Sequence, residues 1–169
     1  MKKIVFLLML IIGLISCDKF TNVNFSQTSS STDFLLKSGI PAEVYNDTIE
    51  LDYDLQSGAQ SNGTSIDRLK EIKLSAGKAV AQSGNFDKWN NLSVSIMADG
   101  LPEQNMLSKS PVITPTGLEL EMDVNTITDF LPYFKGENVK LKVNGKLKEE
   151  TTEEQIINFT LIYSIKAGL

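Results

Sequence analysis

Apolar residues alternate with polar ones along most of this chain, and that period of two limits its fold more than any other feature. Leu118, Leu120, Met122 and Val124 are separated by Glu119, Glu121 and Asp123. Ile157, Phe159, Leu161, Tyr163 and Ile165 recur at every second position within 155–167. Successive side chains of a strand point to opposite faces, so such runs form half-buried strands. The same pattern marks 20–27 (Val23, Phe25), 48–55 (Ile49, Leu51, Tyr53, Leu55), 92–98 and 139–147. Phe34-Leu35-Leu36 and 105–109 are shorter candidates. Ile156 and Ile162, on the second face of the last strand, mark it as central.

Residues 64–82 admit two readings. One is a helical turn at 65–69 feeding a strand over 70–82; the other is a single amphipathic helix. Between the strands lie a serine-rich turn at 29–32, a loop from Ser57 to Gly63, a long loop to Pro115, and a charged hairpin over 148–154. Residues 125–136 predict a short helix or turn. Alternation, rather than continuous apolar runs, indicates antiparallel sheets. The expected fold is therefore all-β: an antiparallel β-sandwich, Ig-like or jelly-roll, with one or two short helical turns.

The first seventeen residues break the pattern. Lys2 and Lys3 precede an uncharged apolar run, Ile4–Ile15, and then Ser16 and Cys17. A dozen apolar residues fall short of the ~20 that span a bilayer as a helix, and the three-part layout is that of a secretory leader. Leu14-Ile15-Ser16-Cys17 resembles the lipobox of bacterial lipoproteins read by signal peptidase II. The resemblance implies cleavage between Ser16 and Cys17 and acylation of Cys17. An ordinary secretory leader followed by an incidental cysteine is the competing reading. The expected organisation is a signal peptide over 1–16 and one β-sandwich domain with a short tether over 17–169. It places the protein in the bacterial cell envelope, held by lipid to the outer membrane on its periplasmic or surface face. Each buried CH₂ contributes about 0.8 kcal/mol, so two or three acyl chains hold where one does not.

Composition removes several functions. The chain has no histidine and a single cysteine. Ser-His-Asp and Cys-His catalysis and histidine-ligated zinc are excluded, and with Cys17 acylated no disulfide can form. The formal charge is −5, and loss of Lys2 and Lys3 with the leader makes it −7. A net acidic domain without a basic run is a poor partner for nucleic acid. No cofactor, no metal and no enzymatic activity are expected.

Few side chains stand out as sites. Glu119, Glu121 and Asp123 share a strand face, but alternate residues are about 7 Å apart and their carboxylates diverge, which suits a solvated face better than a cation. Asp52 and Asp54 are alike, and the two faces could merge only if their strands were neighbours. Trp89, the sole tryptophan, with Phe86 is either core packing or a sugar-stacking platform.

Two stretches carry a further likeness: Asn85-Phe-Asp-Lys-Trp-Asn-Asn-Leu-Ser-Val-Ser-Ile-Met-Ala-Asp-Gly-Leu-Pro-Glu103 and Asp129-Phe-Leu-Pro-Tyr-Phe-Lys-Gly136. They resemble uncharacterised β-sandwich envelope lipoproteins of the Bacteroidota, a group without a catalytic motif. The expected function is that of a lipid-anchored structural or protein-interaction component of the envelope, whose partner is the membrane through Cys17 and an envelope protein or a polysaccharide. The alternative is a surface glycan-binding module using Trp89 and Phe86; an envelope hydrolase is the remote third.

Overall fold

A computed structural model describes residues 22–112 and 117–168. Ten strands follow in order: β1 (Asn22–Ser31), β2 (Phe34–Leu36), β3 (Val44–Asp52), β4 (Leu69–Ser83), β5 (Trp89–Met97), β6 (Gln104–Lys109), β7 (Glu119–Glu121), β8 (Asp123–Val124), β9 (Lys140–Leu147) and β10 (Gln155–Gly168). Two short helices, α1 (Leu55–Ser61) and α2 (Leu131–Phe134), and a 3₁₀ turn at Ile66–Arg68 complete the described elements.

Every pairing is antiparallel. One sheet runs β7-β4-β10-β1, with β2 extending β1's side of β10; the other runs β3-β9-β5-β6-β8. The two join at both margins. Ser30 and Ser31 of β1 pair with Asp52 and Leu51 of β3. At the opposite margin β7 pairs with β4 and β8 with β6, although the two are consecutive in the chain. Met122 makes the crossing, its N–H donating to Gly77 O at 3.0 Å. The antiparallel sandwich expected from alternation is thus present, its sheets closed on each other into a flattened barrel.

β10 is the central strand, as Ile156 and Ile162 suggested, with β1 on one edge and β4 on the other. Register shifts along β4–β10 let these long strands bend around the core. Inside lie Phe34, Trp89, Phe159, Ile72, Leu74, Leu92, Ile96 and Leu161, all essentially without solvent contact. Residues 70–82 are strand rather than helix, because Ile72, Leu74, Ala79 and Ala81 reach the core while Lys70, Lys73 and Lys78 turn outward.

Three expectations fail; one is the strand over 48–55, which stops at Asp52, with Leu55 opening α1 instead. The serine-rich segment is not a turn: β1 continues to Ser31. Ser29 and Ser31 point inward, and Ser31 Oγ accepts the Phe159 N–H at 2.9 Å, replacing a strand partner where β1 leaves β10. Residues 57–61 are not loop but the body of α1. Asp54 caps it, its Oδ1 accepting the Ser57 N–H at 2.9 Å, and Leu55 and Ala59 bury the inner face.

The strand faces of β10 set up a direct contrast. Phe159→Ala is expected to cost about 3–5 kcal/mol, as for deletion of a buried aromatic ring. Ser164→Ala, on the exposed face of the same strand, is expected to stay within about 0.5 kcal/mol. Urea unfolding midpoints of the two variants measure the difference.

Candidate functional site

Trp89 and Phe86 form no platform. Both are wholly buried. Trp89 opens β5 with its ring tilted against Phe34 at 6.3 Å between centroids. Its Nε1–H donates to Gln155 Oε1 at 2.9 Å, and Gln155 Nε2 donates in turn to Asn85 O. Gly145 of β9 makes room for the indole: a Cβ there would overlap the ring and lie 2.9 Å from Asn91 O. The aromatic pair in the NFDKW stretch therefore seals one end of the barrel. The sugar-stacking expectation is corrected because both rings are spent on the core. A small hollow beside them is lined by Leu36, Gly84, Asn85, Lys88, Thr151, Glu153 and Gln155. Lys88 there is already engaged, donating to Thr152 Oγ1 at 2.7 Å.

The acidic strand faces do not merge. Asp52 sits opposite Ser30, whereas Glu119 and Glu121 lie beside β4, so the condition for a shared cation site is not met. Lys78 donates to both Glu119 carboxylate oxygens at 3.0 Å. Glu103 accepts from Lys142 Nζ at 2.9 Å, and that hydrogen bond is the main reason its carboxyl is held below the usual range. Among the described residues no cluster of three or more Cys, Asp or Glu could hold a metal ion. Ser16 and Cys17, the expected cleavage and lipidation residues, lie outside the described residues.

Sequence reading missed two features. The first is a polar patch in the interior. Gln27 Oε1, Ser29 Oγ and Tyr163 OH are buried without a hydrogen-bond partner among the described residues. Gln27 and Ser29 share the inward face of β1, and Tyr163 is the register partner of Gln27 on β10. Phe134 meets the Tyr163 ring edge-on at 5.1 Å. Burial pushes the Tyr163 phenol far above the ordinary tyrosine range, and the neighbouring Ser29 offsets this only in part. No sequence signal announces the patch, because Gln27, Ser29 and Tyr163 read as ordinary members of alternating strands.

The second is a strip on the outer face of the first sheet. β1 presents Asn22, Asn24, Ser26, Thr28 and Ser30 outward. Beside them β10 presents Ile156, Asn158, Thr160, Ile162 and Ser164. No charge falls at these ten positions, in a chain that is 22% charged, but Lys166, the register partner of Asn24, stands on the same face at its lower end. Ala76, Gly77, Lys78, Glu121, Thr160 and Ile162 line a shallow hollow at the strip's margin. Uncharged side chains cost less to desolvate than ions, and their hydroxyls and amides can pair with a partner's polar groups, so this face can be covered without stripping ions of water. Alternation in the sequence shows each strand's outer residues, but only the β1–β10 pairing sets them side by side.

No protein-family model and no curated protein matches the chain. Among solved structures it is similar to Desmodium yellow mottle tymovirus, at 12% identity over 88% of this chain and 89% of that one, with a TM-score of 0.30. It is also similar to turnip yellow mosaic virus, at 11% identity over 87% and 96%, with a TM-score of 0.29. Superpositions this loose carry nothing about ancestry or function.

Gln155 and Tyr163 should respond oppositely to loss of a polar group. Gln155→Leu leaves the indole N–H buried and unpaired and is expected to cost about 1–3 kcal/mol. Tyr163→Phe removes a hydroxyl that has no partner, and its midpoint is expected to match or exceed the parent's. The phenol also sets a pH response. Above about pH 10 the unfolded chain releases the tyrosine proton while the folded chain keeps it. The folded state then binds more protons, so stability falls as pH rises. Tyr163→Phe is expected to flatten that alkaline limb in melting temperatures taken from pH 8 to 12.

Proposed function

We propose that this chain is a lipid-anchored lipoprotein of the bacterial envelope, and that its β domain acts by contact with other envelope components rather than by catalysis. The observation that carries this reading is the run Lys2-Lys3, Ile4–Ile15, Ser16-Cys17, with the chain's only cysteine where a lipobox requires it. Two features of the domain are in keeping with it. The interior is filled by side chains from both sheets, from Phe34 and Trp89 to Ile165. The uncharged strip over β1 and β10 offers a broad face that a partner can cover. Lipid supplies attachment, so the domain's surface is left to a protein or polysaccharide neighbour in the envelope. The glycan reading built on Trp89 and Phe86 has lost its residues to the core and has no specific support in the remaining surface.

Cys17→Ser removes the acyl acceptor. The variant is expected to leave the membrane fraction and appear soluble after cell fractionation, while the parent sediments with membranes and is extracted by detergent. Sedimentation of the variant with membranes would sink the anchor reading and point to the apolar leader as a retained helix.

A further inference from the structure

The two ends of the barrel are chemically unlike. β10 runs from Gln155 to Gly168, a contour of roughly 40 Å at about 3.3 Å per residue. Before its first residue comes the 148–154 hairpin, where Glu149, Glu150, Glu153 and Glu154 are all exposed. At its far end Gly168 pairs with Asn22, the first residue of β1. Lys70 Nζ donates to Asn22 Oδ1 at 2.8 Å, and Arg68 and Lys166 are exposed beside it. Acids share this end: Asp67, Asp129, and Glu71, which is held by Lys73 at 2.8 Å and lies opposite Lys166, with Asp99 and Glu137 exposed on the loops that leave β5 and enter β9.

Residues 125–130 close the same end. The Asn125 N–H donates to Met106 O at 2.9 Å and the Phe130 N–H to Ile72 O at 2.7 Å. Between these ties Asn125 Oδ1 accepts the N–H groups of Ile127 and Thr128, both at 3.2 Å, in a tight turn. The turn pushes Ile127 into solvent, where it is 87% exposed, the most exposed large apolar side chain among the described residues.

Covalent reach adds a second constraint. Asn22 lies five residues after Cys17. A chain spans at most about 3.6 Å per residue, so Asn22 stays within roughly 18 Å of Cys17 whatever the path between them. Resting on the reading of Cys17 as lipidated, we infer that this end of the barrel lies against the bilayer, with Ile127 entering the headgroup layer and Arg68, Lys70 and Lys166 facing lipid phosphates. The headgroup layer takes up about 5–8 Å of the reach. The remainder is well short of the roughly 40 Å contour of β10, so the tether cannot carry the barrel over to its other end. The acids at this end oppose adhesion to an anionic surface, so the short tether and the exposed Ile127, not net charge, carry the orientation.

The acylated full-length protein, reconstituted in vesicles of phosphatidylethanolamine and anionic phosphatidylglycerol, tests this. Ile127→Cys or Glu150→Cys carries one environment-sensitive fluorophore, since acylated Cys17 does not react. In floated vesicles the label at 127 is expected to emit to the blue and to be quenched several-fold more by nitroxide-bearing lipid than the label at 150. R68E/K70E/K166E is expected to lower quenching at 127; unchanged quenching would remove those three residues from the contact. Equal quenching at both sites, or more at 150, in protein that floats overturns the orientation and leaves the anchor standing. Protein that does not float defeats the anchor reading, and the orientation falls with it.

Discussion

Pairing along both edges of β10 is the interaction on which the rest of the structure depends. Its partners β1 and β4 are far apart in sequence, so the strand ties the two ends of the chain to its middle. β1 then turns at Ser30 and Ser31 to reach β3, and β4 holds β7, whose continuation β8 reaches β6. Each of the two joints between the sheets is only a few residues long. They hold because β10 fixes β1 and β4 at the correct spacing, and closure leaves few strand edges for another chain to pair with.

With no second cysteine, this closure rests on packing and hydrogen bonds. The aromatic residues divide the interior into two groups. Phe34, Trp89 and Phe159 fill the end near the charged hairpin, where Gln155 satisfies the indole. Tyr53, Phe134 and Tyr163 stack edge-to-face toward the end where α1 and α2 sit. The second group carries the unpartnered hydroxyl of Tyr163 and the neighbouring Ser29 and Gln27. Unpaired polar atoms in a low-dielectric interior weaken the region that holds them. The barrel is therefore tightly satisfied at one end and polar and under-satisfied nearer the other.

Much of this was legible in residue order, and the failures have physical causes. The alternations at 117–124, 139–147 and 155–167 fell on β7–β8, β9 and β10 because a two-sided sheet with one wet face imposes that period. α1 was hidden because Gly58 and Gly63 mark a loop by composition, while the Asp54 cap and the buried pair Leu55 and Ala59 are a signal only seven residues long. The extension of β1 was hidden because serine is a turn former in general, and only the exposed Phe159 N–H at the corner gives Ser31 a strand role. Trp89 and Phe86 were visible as residues, but the seat of Trp89 depends on Gly145 clearing space from a strand more than fifty residues away. The outer strip and the grouping of Arg68, Lys70, Lys166 and Ile127 are products of strand pairing and loop ties, and no local pattern contains them.

A closed barrel whose interior is filled by its own side chains presents its chemistry on its faces and ends. Here those surfaces are already differentiated. The outer face of β1 and β10 carries no charge from Ser26 to Ser30 or from Ile156 to Ser164, the 148–154 hairpin is rich in glutamate, and the opposite end mixes exposed cations and acids around one exposed apolar tip. Under the proposed lipid anchor, the position of β1's first residue decides where attachment acts. A tether attached there loads the barrel through Asn22, next to Lys70 and Gly168, rather than through a mobile loop. β1 is held by nine register pairs to β10, so force or constraint at that point enters a long strand pairing. The uncharged strip starts just above Lys70 and Lys166 and runs up the side of the barrel, so attachment at one end leaves its length free for a neighbour standing alongside.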